Sequence, residues 1–171
     1  PDLAAPATAN EAADAALLEA MDAEVDATLL RTSDVTAADD AEGRAASRYV
    51  DAIRADPASA VAEERVLVLA AAAIERGEPA RHTPTLEEVT TIRPRSWRAH
   101  YLLAELRRLA GDVSGAIVAF EHADALHPLR DADVLTLARL QITAGAPAVA
   151  ASRLRRVLRG GAEPGVAATA R

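Results

Sequence analysis

Apolar residues recur along this chain with the period of helices and almost never with that of strands. Over 10–31, Ala13, Leu17, Met21, Val25 and Leu29 fall every four residues, with Leu18 and Leu30 beside them. That spacing predicts an amphipathic helix with one buried stripe. Asn10 is its expected N-cap, and Glu11 and Asp14 suit its positive end. A second helix is predicted over 36–55, with Ala45, Tyr49, Ala52 and Ile53 inward. Thr36 and Asp39 have the spacing of a capping box, and Pro57 stops the helix because the residue before proline avoids helical angles. Ser59 caps a third helix over 59–76, apolar on more than one side and therefore sandwiched; Gly77 is its left-handed C-cap. The stretch GEPARHTPT reads as a loop, leading to a short helix over 85–92 ended by Pro94. Two pairs follow: 97–110 and 113–126 about Gly111-Asp112, then 131–144 and 148–159 about Gly145. The ends, 1–9 and 160–171, hold too few large apolar groups to order themselves, which leaves one helical domain over 10–159.

Composition supports the all-helical reading. About a quarter of the residues are alanine, and only Tyr49, Trp97, Tyr101 and Phe120 are aromatic. The core must then be built from Ala, Leu and Val, with helices approaching closely. There is no cysteine, so neither disulfides nor thiolate chemistry are open to the chain. All 19 basic residues are arginine, as a GC-rich bacterial genome would favour. Residues 1–88 carry 19 acids and 7 arginines, a net −12; residues 89–171 carry 7 acids and 12 arginines, a net +5. This polarity suits steering of an acidic partner to the C-terminal half, and equally an ordinary solvated surface. The overall charge of −7 argues against nucleic acid as a partner. The longest apolar run, VLVLAAAAI at 66–74, is under half of the ~20 residues a membrane span needs. The opening PDLAAPATANEAADAA has neither the basic region nor the apolar core of a signal peptide. A cytoplasmic location is therefore set slightly ahead of a periplasmic or cell-envelope one.

The pattern also repeats. Gly77, Gly111 and Gly145 lie 34 residues apart, and the same step links Leu69, Leu103 and Leu137; Ala70, Ala104 and Ala138; Leu86, Phe120 and Leu154; Val89, Ala123 and Val157; and Pro94 with Pro128. A period of that length means stacked helical hairpins. The unit 97–128 resembles the tetratricopeptide repeat family: Ala116, Phe120 and Pro128 match its A-x3-F…P pattern, behind Leu103-Ala104 and the Gly111-Asp112 turn. The unit departs from the family at His100, where tryptophan is usual, and at Ala104 and Arg107. In the preceding unit His82 stands where a small alanine belongs, so that unit is expected to be distorted or loosely packed. Helix 36–55 reads as the second half of an earlier unit, with 10–31 as its degenerate first helix or a cap. The resemblance implies an all-α, right-handed superhelical α-solenoid of stacked antiparallel hairpins, about three to four repeats.

It also implies that ligands bind on a concave face lined by the first helix of each hairpin. The positions carried over by spacing are Arg98, Tyr101, Leu102, Glu105 and Arg108 in one unit, Leu135, Thr136, Arg139 and Ile142 in the next, and Glu64, Leu67, Val68, Ala71 and Glu75 in the one before. Arg98, Arg108 and Arg139 beside an aromatic and apolar strip suit a protein or peptide partner, an acidic or carboxylate-bearing one in particular. The same arginines would serve a solvated face by pairing with Glu105 and nearby acids. The family's carboxylate clamp is not expected, since it needs lysines and asparagines; the chain has no lysine, and its only asparagine is Asn10.

No catalytic constellation competes with this reading. His82, His100, His122 and His127 show no i, i+4 pair and no H-E-x-x-H, so no metal site is expected. There is no G-x-S-x-G, no P-loop, and no cofactor motif. The pairs Glu63-Glu64 and Glu87-Glu88 lack the apolar setting that tunes a carboxyl acid, and Arg153, Arg155, Arg156 and Arg159 lack interleaved aromatics. The expectation is a non-enzymatic protein- or peptide-binding scaffold. Its alternative is a structural accessory subunit packed in a larger bacterial assembly, at a membrane or cell envelope for example.

Overall fold

The computed structural model describes residues 8–160, with eight helices and no strand among them. They are α1 (Ala9–Leu30), α2 (Val35–Ala55), α3 (Ala60–Arg76), α4 (Pro79–Ile92), α5 (Trp97–Leu109), α6 (Val113–Leu126), α7 (Asp131–Thr143) and α8 (Pro147–Gly160). Consecutive helices pair into four antiparallel hairpins that stack as a tetratricopeptide-like α-solenoid. Apart from Thr8, Ala9 and Gly160, the terminal segments expected to be disordered lie outside the described residues.

The turn glycines explain the repeat at the level of the backbone. Gly111 has φ +79°, and Gly77 and Gly145 have φ +72° and +80°. Each closes the first helix of its hairpin with the same double hydrogen bond: the Asp112 N–H donates to the Arg107 carbonyl, and the Gly111 N–H to the Arg108 carbonyl. The matching pairs run from Glu78 to Ala73 with Gly77 to Ile74, and from Ala146 to Gln141 with Gly145 to Ile142. A residue with a Cβ would be strained there.

Alanine columns hold the helices close. Ala70, Ala104 and Ala138 are all at most 1% exposed, and the large fully buried side chains Tyr49, Ile53, Val66, Leu86, Val89, Leu106, Phe120 and Leu137 fill the space between. Ion pairs then tie repeat to repeat: Arg54–Glu88, Glu64–Arg98 and Glu42–Arg76 each join residues 34 apart. Glu64–Arg98 joins the first helices of neighbouring hairpins, Arg54–Glu88 joins second helices, and Glu42–Arg76 ties α2 to α3, so that neighbouring units are coupled by charge.

Three expectations are corrected. First, 79–84 is not a loop: α4 begins at Pro79 and runs through Pro84. Pro79 sits in the first turn, where an N–H has no helical partner anyway, and Pro84 forfeits only the bond to the Ala80 carbonyl. Second, α1 is capped by Thr8, with Glu11 completing a capping box, and α2 by Asp34; Asn10 and Thr36 lie inside the helices. Third, the stripe of α1 turns inward only at its start, where Ala13 is buried and Leu17 packs half-buried against the core. The helix buries Ala13, Ala20 and Ala27, while Met21, Val25 and Leu29 are 48, 57 and 70% exposed. Small residues let this long hairpin close tightly on α2, and the large ones are left outside.

His82 does not loosen its unit. It is fully buried, and its Nε2 lies 2.9 Å from Glu42 Oε1. Glu42, 4% exposed, also accepts from Arg31 Nη2 and Arg76 Nη2, both at 2.5 Å. Asp39 joins Arg31 to Arg81 beside it. The larger side chain at the alanine position thus reaches across to α2 and a built polar cluster.

Candidate functional site: the groove between α3, α5 and α7

Alternate helices α3, α5 and α7 are the first helices of their hairpins, and a cavity of about 400 Å³ opens between them. Leu67, Val68 and Ala71 of α3 form one wall; Trp97, Arg98, Tyr101 and Leu102 of α5 form the floor; His127, Pro128, Leu129, Arg130 and Asp133 close it from the α6–α7 side. The lining is mainly apolar, with a few fixed polar groups, the usual make-up of a binding cavity.

Those polar groups are held in place by one another. The Tyr101 hydroxyl donates to Asp133 Oδ1 at 3.0 Å, and Arg130 Nε donates to Asp133 Oδ2 at 2.9 Å. Burial, with the Asp133 carboxylate adding to it, raises the Tyr101 phenol above its ordinary value, so it stays a neutral donor. Its ring meets Phe120 edge-on at 5.8 Å. Trp97 stacks on His127 at 4.5 Å with 19° between the rings, which fixes the loop over the floor. On the same helix His100 is buried, its Nε2 3.1 Å from the Pro94 carbonyl and its ring against His122; burial lowers its pKa from the ordinary value and favours the neutral ring.

The residues expected from spacing are partly brought together. Arg98, Tyr101 and Leu102 of α5 and Leu67, Val68 and Ala71 of α3 line the cavity. Arg98 is held by Glu64 at 3.0 Å, a hydrogen bond that lowers the Glu64 carboxyl below its ordinary value. Glu105 and Arg108 lie further along α5 outside the cavity and pair with each other at 2.6 Å. Leu135 (46% exposed) and Arg139 are exposed on α7, also outside it. Arg139 makes no side-chain ion pair among the described residues. Spacing missed Trp97, His127, Leu129, Arg130 and Asp133, which come from a helix start and a connecting loop. An exposed tryptophan followed 30 residues later by a histidine-proline break was the available signal.

No nucleophile–base arrangement lies in this groove. Among the described residues, no group of three or more His, Asp or Glu could hold a metal ion, and no helix is long and apolar enough to cross a membrane.

The fold defines a helical-repeat architecture of the tetratricopeptide type, and solved structures bear this out. MamA 41-end from Desulfovibrio magneticus RS-1 is 18% identical, with a TM-score of 0.56 over 92% of this chain and 84% of that one. The MamA RS-1 ArsTM double mutant is 19% identical, with a TM-score of 0.53 over 76% of this chain and 78% of that one. No family model and no curated relative matches the sequence.

Proposed function

We propose that the chain is a non-enzymatic scaffold whose groove between α3, α5 and α7 holds a segment of a partner protein. The observation that carries this is the 400 Å³ apolar cavity with a preset polar rim. A bulky apolar side chain of the segment fills it against Leu67, Trp97, Tyr101 and Leu102. Leu135 extends the apolar contact along α7. Arg139, which makes no ion pair among the described residues, receives a carboxylate of the segment; Arg98 and Arg108, already held by Glu64 and Glu105, orient it more weakly. Rigid walls cost little ordering on binding, so apolar contact sets affinity and the arginine sets direction.

A photo-cross-linking residue at Leu102, used in extract of the source cells, would identify the segment, which is then remade as a peptide. Tyr101→Ala and Arg139→Ala should each weaken that peptide by about tenfold. A cross-linked peptide that binds both variants as tightly as the parent would retire the groove. The second reading, an accessory subunit packed in a larger assembly, draws on the uncovered outer face of α1 and would show as stoichiometric co-purification.

A further inference from the structure

The outer face of α1 carries an uncovered apolar stripe: Leu18, Met21, Val25 and Leu29 are 63, 48, 57 and 70% exposed. At about 100° per residue these four fall in one sector, opposite the buried Ala13, Ala20 and Ala27. A repeat face turned to solvent is ordinarily polar; among the described residues nothing covers this one, and it is apolar. The stripe continues onto α3 through a second hollow of about 470 Å³, where Met21, Val25 and Leu29 meet Tyr49 and Val61. It shares no residue with the groove above.

Charge says what covers it. Asp14 continues the stripe toward the helix start, and Asp22 and Asp26 run along its flank, all exposed. None of the three makes an ion pair among the described residues. Elsewhere Glu42, Glu63, Glu64, Glu87 and Glu88 each hold an arginine. We propose that this face docks a basic amphipathic helix of a partner protein. The partner's apolar seam lies on Leu18, Met21, Val25 and Leu29, and its arginines or lysines sit opposite Asp14, Asp22 and Asp26. The same carboxylates repel an anionic membrane surface.

The test uses the whole chain and two fluorescein-labelled helical peptides of about 18 residues with one leucine seam. One carries arginines beside the seam, and its twin carries glutamates. The basic peptide should bind at least about tenfold tighter than the twin. Asp22→Arg with Asp26→Arg should reverse that preference. Leu18→Gln with Val25→Gln should weaken both peptides about tenfold, and Trp97→Ala, in the groove, should change neither. All four α1 positions face solvent, and far-UV circular dichroism checks that each variant folds. Equal binding of the twin, or indifference to the charge reversal, overturns the proposal. So does loss of the basic peptide in Trp97→Ala, which would place it in the groove. Sedimentation showing self-association that Leu18→Gln with Val25→Gln abolishes would put a second copy on the face and overturn it too.

Discussion

Glu42 is the position where removing a few atoms should unsettle the stack most. Its carboxylate is 4% exposed and receives Arg31, Arg76 and His82 from the α1–α2 turn, α3 and α4. Glu42→Ala leaves that cluster without its anion. Breaking a fully buried pair costs about 3–5 kcal/mol. The Arg31 and Arg76 side chains are 31 and 30% exposed and can recover some hydration, which brings the expected loss to about 2–3 kcal/mol. For a chain of this size that is a fall in Tm of about 5–10 °C. Glu42→Gln keeps the shape and an acceptor and should lose about 1–2 kcal/mol.

The pH dependence follows from the same geometry. Burial pushes the Glu42 carboxyl up, but the His82 hydrogen bond and the Arg76 guanidinium outweigh it and hold it below its ordinary 4.5. A depressed carboxyl stabilises the fold above its unfolded-state pKa, and loses that contribution as pH falls through the folded-state value. The gap between the parent and Glu42→Gln is therefore full above about pH 4.5 and closes below it. Urea unfolding followed by circular dichroism, repeated across pH, measures both. A Glu42→Ala variant within about 0.5 kcal/mol of the parent would refute the reasoning. So would a gap that does not change with pH.

Phe120→Ala removes a fully buried ring and should cost about 3–5 kcal/mol in the same unfolding assay; under about 1 kcal/mol would mean the ring is not packed. Gly111→Ala should cost about 1–2 kcal/mol by thermal melting, all of it from the backbone, because a Cβ there meets no atom within 4 Å. Trp97 is the only tryptophan and is stacked on His127 at the cavity floor, so groove ligands should shift its emission to the blue. Emission that stays fixed at ligand saturation would place the ligand elsewhere.

The repeat was legible because two independent signals agreed. The helical period marked the elements, and the 34-residue step of Gly77, Gly111 and Gly145 marked the turns. Where local rules stood alone, they misled. Proline and threonine in 79–85 read as a loop, yet burial of His82, Leu86 and Val89 outweighs what Pro84 costs. In α1 the apolar period was real, but periodicity only says that one face differs from the other. Which face turns inward was decided by closeness of approach, and the alanines won. The groove was legible on α3 and α5, where repeat spacing placed Leu67, Val68 and Ala71, and Arg98, Tyr101 and Leu102. The α6–α7 connection was not, since its position depends on how hairpins stack rather than on any local pattern.

The repeat step also bears on which arginine is open to a ligand. Arg54–Glu88 and Glu64–Arg98 pair opposite charges 34 apart on alternate helices. Glu105 and Arg139 have the same separation. They do not pair among the described residues: Arg108, one turn along α5, holds Glu105 Oε2 at 2.6 Å and 3.0 Å and competes with Arg139 for the carboxylate. Arg108→Ala should therefore release Glu105 to Arg139 and occupy that guanidinium, a larger effect than loss of Arg108's own weak contact with the segment. Its cost to stability should be about 0.5–1 kcal/mol, because the pair is one turn apart on a helix but the Glu105 side chain is only 15% exposed. Its cost to binding a carboxylate-bearing segment should match that of Arg139→Ala, and Glu105→Ala in the Arg108→Ala background should restore the affinity. Titrating the groove peptide against the four chains separates the cases: loss in Arg139→Ala without loss in Arg108→Ala would show that Glu105 does not reach Arg139.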